Sequence, residues 1–185
     1  MKLLKKFVWL LASVALVACG GDDDTPSAPA YELSEANILG TYTMNELAIE
    51  TQRLVTDGDT VTPTSTTEIE GINFQGFELT LSNGGSYAVT DNSFYTKEET
   101  VNGDVITDED GEIVSVSDSG TYSLDVDNEV ITFTSTNGTE GFFNGEFEID
   151  SFSQSSLKIS NEETIVDETN SAFSDASTKV FGFER

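Results

Sequence analysis

Apolar and polar residues alternate along most of this chain, and no stretch sustains an apolar repeat near 3.6 residues. The clearest alternations lie at residues 77–81, 122–126, 130–134, 147–149, 157–159 and 180–183, with threonine and serine heavily used between the apolar positions. A side-chain period of two with one apolar face predicts β-strands. Between them stand Asn83-Gly84, Asn102-Gly103, Asp110-Gly111, Asn137-Gly138 and Asn144-Gly145, dipeptides suited to hairpin turns that need positive φ. Asp57-Gly58 and Asp127-Asn128 read as turns as well. Turns so closely spaced leave no room for helical crossovers, so the prediction is an all-β antiparallel fold of about eight to ten strands. Such a sheet either closes into an up-and-down barrel, which removes its edges, or pairs into a β-sandwich, which only shields them. The alternation is compatible with both.

Two stretches break the pattern. Residues 57–76 are rich in Thr and Glu, contain Pro63 and lack apolar anchors before Ile69 and Ile72. They read as a long loop or an irregular edge strand. Residues 162–178 are again polar and acidic, with Phe173 as anchor, and read as a second loop. Long loops in a small domain are often where binding occurs. Gly40-Thr41-Tyr42, Gly85-Ser86-Tyr87 and Gly120-Thr121-Tyr122 repeat one motif at irregular spacing, predicting three strand starts whose tyrosine rings pack while their hydroxyls reach water.

The amino terminus follows a different logic. Lys2, Lys5 and Lys6 precede an apolar run over residues 7–17, and small residues lead to Cys19, the only cysteine in the chain. Charge, apolar core and small residues in that order form an export signal, and the core falls short of the roughly 20 residues a spanning helix needs. Asp22, Asp23 and Asp24 follow directly, and residues 25–30 hold two of the three prolines, as in a semi-extended tether. The expected organisation is a signal peptide over 1–18, an acidic, proline-bearing tether over 19–30 and one β domain over 31–185.

Charge narrows the choice of function. The 34 acidic residues against eight basic ones set the net charge at −26, and loss of residues 1–18 makes it −29. Such a chain repels phosphate backbones and anionic headgroups, so nucleic acid is excluded as a partner. Twelve Phe and five Tyr still supply enough apolar surface for a core. The absence of histidine removes the commonest general base and the usual zinc sites. No catalytic residue, metal site or cofactor is expected. The acidic run Asp108-Glu109-Asp110-Gly111-Glu112 fails as a calcium loop, because Ile106 and Ser117 would occupy its first and last ligand positions. A hairpin turn accounts for it better.

Leu16-Val17-Ala18-Cys19 resembles the lipobox of bacterial lipoproteins, and the acids after it resemble the surface-export tag of Bacteroidetes lipoproteins. The resemblance implies that Cys19 carries acyl chains that hold the protein to the outer membrane, facing the cell exterior. Asp59-Thr60-Val61 resembles an O-glycosylation motif of exported proteins from the same bacteria. The first strand at Ile38-Leu39-Gly40-Thr41-Tyr42, the turn and strand over 77–87, the hairpin over 120–134 and the closing Phe181-Gly182-Phe183-Glu184-Arg185 resemble lipocalin-like domains. Tyr42 stands where lipocalins carry a tryptophan. That resemblance implies a noncatalytic barrel that binds a small apolar or amphipathic ligand, with Arg185 stacked on Tyr42 as a clamp at one end. The other expectation is a filled barrel or sandwich that contacts a protein or glycan through its loops.

Overall fold

The computed structural model describes residues 31–74, 76–102, 105–109, 113–138, 141–167 and 169–185. Cys19, Asp22, Asp23, Asp24 and the Asp110-Gly111 turn lie outside them. The strands are β1 (Gly40–Asp57), β2 (Thr60–Ile72), β3 (Glu78–Ser82), β4 (Ser86–Asn102), β5 (Val105–Glu109), β6 (Ile113–Asp125), β7 (Val130–Ser135), β8 (Gly145–Phe152), β9 (Ser156–Val166) and β10 (Phe173–Glu184).

These ten segments make eight staves. β2 and β3 both run antiparallel to β1 and β4, so they are two halves of one stave interrupted over 73–77. β5 and β6 divide the next stave in the same way, both pairing with β4. Each stave then pairs with the next, and β10 returns to β1 from Thr43↔Glu184 to Val55↔Phe173. The result is a closed, eight-staved, up-and-down antiparallel barrel rather than a sandwich. Closure satisfies backbone groups that a sheet of this length would otherwise leave along two full edges.

Hairpins form at Asp57-Gly58 and Asn83-Gly84, where Gly58 and Gly84 adopt φ of 61° and 91°. Asn137-Gly138 and Asn144-Gly145 differ from expectation. They do not make two hairpins but bracket one connection, over 136–144, between β7 and β8. The two stretches expected to be loops are mostly strand. Residues 60–72 form β2, paired with β1 from Thr60 to Glu70 and with β4 from Thr66 to Ile72, with the register shift opposite Pro63 absorbing the missing N–H. Residues 162–166 continue β9 and 173–178 begin β10, leaving only 167–172 as the turn. Few apolar residues hid these strands because they lie where the wall projects past the core. Their partners supply the backbone bonds, and little side-chain burial is required.

The core lies within the ring. Tyr42, Met44, Leu47, Leu79, Leu81, Tyr87, Val89, Ile131, Phe133, Phe147, Ile149, Leu157, Ile159, Phe181 and Phe183 point inward from successive staves and are buried. On β1 a bulge between Met44 and Glu46 resets the alternation, so that Leu47 follows Met44 into the interior. Gly120 is not a strand start. It sits within β6, where an added Cβ would lie 2.0 Å from the Thr134 carbonyl oxygen. Here only glycine permits the close approach of β7.

Candidate functional site

The interior of the barrel is occupied by one of its own loops. Within the 136–144 connection, Phe142 and Phe143 reach back into the ring and Phe143 stands at its centre, with none of its surface exposed. Its ring centroid lies 5.3 Å from Phe133, 5.1 Å from Phe181, 6.2 Å from Phe147 and Phe183, and 6.5 Å from Tyr87. Phe142 bridges Phe143, Phe181 and Phe77 at 5.0–5.5 Å. Several of these pairs are edge-to-face, the arrangement that the ring quadrupoles favour.

A buried carboxylate holds this plug in place. Asp118, on β6 and 4% exposed, accepts hydrogen bonds from the Phe143 N–H at 2.9 Å, Ser135 Oγ at 2.5 Å, the Ser119 N–H at 2.9 Å and Tyr87 Oη at 3.0 Å. Asn137 Nδ2 lies 3.4 Å from the same carboxylate. A charge taken out of water is tolerated only when its lone pairs are met in this way. Tyr87 therefore does not present its hydroxyl to solvent, contrary to the motif reading. Burial raises its ionisation well above the ordinary tyrosine value, and the neighbouring Asp118 charge raises it further, while the Ser135 hydrogen bond lowers it. Gly141 belongs to the same device, since a Cβ there would lie 2.2 Å from Ser135.

Tyr42 and Arg185 meet at one end of the barrel. The guanidinium carbon stands 4.6 Å from the Tyr42 ring centroid, and Nη2 donates to Tyr42 Oη at 2.8 Å. Arg185 also reaches Asn37 O at 3.0 Å, Leu39 O and Tyr31 Oη, binding the segment before β1 to the last residue of the chain. Gly40 permits this, with φ of 144° and Arg185 lying where a side chain would begin. The Tyr42 hydroxyl donates to Ile38 O at 2.7 Å and is likewise buried. Burial pushes its pKa up to about 12, partly offset by the Arg185 charge.

At the other end the wall is lopsided. β7 and β8 are short, whereas β1, β2, β9 and β10 continue past them. On the face continuous with the core, Arg53 bonds Asp175 and Asp167, each at 2.8 Å, and stands 5.2 Å from the Phe173 ring centroid. This cluster ties β1 to the 167–172 turn. Asp167 also accepts from Thr169 Oγ1 at 2.6 Å and from the Thr169 and Asn170 N–H groups. These bonds, with the Arg53 charge, hold its carboxyl well below the usual carboxylate range. Asp59-Thr60-Val61 occupies the exposed β1–β2 tip.

On the outer surface, where β8 parts from β9, Glu146, Glu148 and Glu162 surround a cavity of about 340 Å³ floored by Ser160 and Asn161. Among the described residues, no lysine or arginine forms an ion pair with these three carboxylates. Also among the described residues, no group of side chains has the composition and closeness of a metal site.

Sequence reasoning brought Tyr42 and Arg185 together through the lipocalin-like resemblance. It missed Asp118 and the plug. The available signal was Phe142-Phe143, two adjacent aromatics inside a turn-rich segment that does not alternate. No known protein family, curated protein or solved structure matches this chain.

Proposed function

We propose that this chain is a lipocalin-like, lipid-anchored outer-membrane lipoprotein whose barrel is a noncatalytic interaction module displayed at the cell surface. The export signal, Cys19 and the three following aspartates support the anchor and the address. Several acyl chains at Cys19 would hold it firmly, whereas a single chain binds a membrane only marginally. The observation that carries the interaction reading is Phe143, a loop residue buried at the centre of the ring. A small apolar ligand of the kind implied by the resemblance would have to displace Phe142 and Phe143 to reach that position. The solid interior therefore favours contact with a macromolecule through the outer surface and rim.

Native mass spectrometry of residues 20–185, purified gently from its own host, tests this reading. A bare protein mass is expected. A reproducible small-molecule mass, lost on denaturation, would overturn the module reading in favour of a ligand-carrying barrel. Membrane fractionation of Cys19→Ser tests the anchor. The variant should leave the membrane, and an unchanged distribution with no acyl mass on Cys19 would refute it.

A further inference from the structure

We propose that the free edge of β9, residues 162–166, is a docking strand that pairs with an extended, basic segment of a partner protein. This deepens the interaction-module reading and rests on it. The open edge follows from the register. β8 accompanies β9 only as far as Glu148↔Ser160, while β9 continues to Val166 with β10 on its other side. The Arg185 N–H donates to Ser155 O, and the Asp167 N–H to Phe173 O, so odd-numbered residues of this stave turn their backbone groups toward β10. The Ser153 N–H donates to Ser156 O on the opposite side, and no register shift interrupts β9–β10. Glu162, Thr164 and Val166 therefore direct their N–H and C=O groups to the free edge, where no described residue pairs with them. Such an edge is a template for an added strand.

The side chains specify the occupant. Ile165 and Val166 are 58% and 54% exposed and, by alternation, lie on opposite faces, offering apolar contact on both. Glu162 lies in the edge, and Glu146 and Glu148 flank its start around the cavity described above. A second copy of the chain would set Glu162 and Glu163 against their own kind. Like charges placed opposite one another are destabilising. An extended segment with lysine or arginine on one face and β-branched residues on the other complements the edge in hydrogen bonding, shape and charge.

The test uses the full chain in detergent and a short, labelled peptide of alternating lysine and valine, with binding followed by fluorescence anisotropy. Saturable binding is expected, weakening with salt as surface charge pairs do. Thr164→Pro removes an edge N–H that makes no bond to β10, so the barrel should persist while affinity falls about tenfold or more, the equivalent of roughly one hydrogen bond. The triple variant Glu146→Gln, Glu148→Gln, Glu162→Gln should lose most of the salt dependence. Hydrogen exchange on the wild-type complex should show new protection at Glu162, Thr164 and Val166. Absence of saturable binding, or protection elsewhere, would overturn the inference even if Thr164→Pro fails to fold. Binding undiminished in a folded Thr164→Pro would overturn the edge while leaving the interaction module standing. A small molecule in the native mass spectrum would remove the module reading independently of the peptide result.

Discussion

The plug makes its strongest prediction at Phe143. An exposed loop residue replaced by alanine ordinarily changes stability by no more than about 0.5 kcal/mol. Phe143 lies in a connection between strands yet has no exposed surface and touches aromatic rings from four staves and its own loop. Burying about 150 Å² of aromatic side chain at about 25 cal/mol per Å² contributes near 4 kcal/mol. Measured Phe→Ala truncations in cores cost about 3–5 kcal/mol, with the cavity left behind included. Because the surrounding rings belong to closed staves, the site cannot collapse far. A loss of about 4 kcal/mol is therefore expected for Phe143→Ala, a large share of the roughly 5–15 kcal/mol that holds an ordinary domain together. Urea denaturation followed by tyrosine fluorescence and by far-ultraviolet circular dichroism measures it. A shifted midpoint with an unchanged slope identifies a stability change. A loss below about 1 kcal/mol would refute the reasoning, since it would place Phe143 outside a packed interior.

Asp118→Ala should cost about 3–5 kcal/mol, because it leaves the Phe143 N–H and the Ser135 hydroxyl buried without their acceptor. Paired with Phe143→Ala in a double-mutant cycle, it should be clearly non-additive, and simple additivity would separate the carboxylate from the plug. Arg185→Ala should cost about 1–2 kcal/mol and speed amide exchange across residues 31–39, whose carbonyls the guanidinium holds. Unchanged exchange there would remove Arg185 as a clamp. Asp167 has a folded-state pKa below its unfolded value, so its contribution is present above about pH 4 and is lost as pH falls through the lower, folded value. Asp167→Asn should therefore be less stable than wild type at neutral pH, and the gap should narrow as acid is added below about pH 4. A gap independent of pH would contradict the assignment.

Much of the architecture was legible along the chain, though unevenly. Leu79, Leu81, Ile131, Phe133, Leu157 and Ile159 announced their strands and inward faces, because a two-residue period needs only near neighbours to be read. β2 and the outer part of β9 were not legible. Their threonines and glutamates lie where the wall projects beyond the core, so backbone pairing rather than burial maintains them. The tyrosine motif indicated where three rings pack, but not that the Tyr42 and Tyr87 hydroxyls would find acceptors inside. Those acceptors arrive from elsewhere in the chain.

By itself, the sequence determined an antiparallel all-β chain, its principal turns, the inward alternation and the acidic surface. Each is a local pattern or a sum over composition. Tertiary structure alone decided that β10 would close on β1, that Phe142 and Phe143 would turn inward, that Asp118 would meet its donors and that β9 would outrun β8. These depend on which distant segments become neighbours and how far each stave extends beyond the next. No periodicity within one strand encodes that, because closure and overhang are properties of the ring.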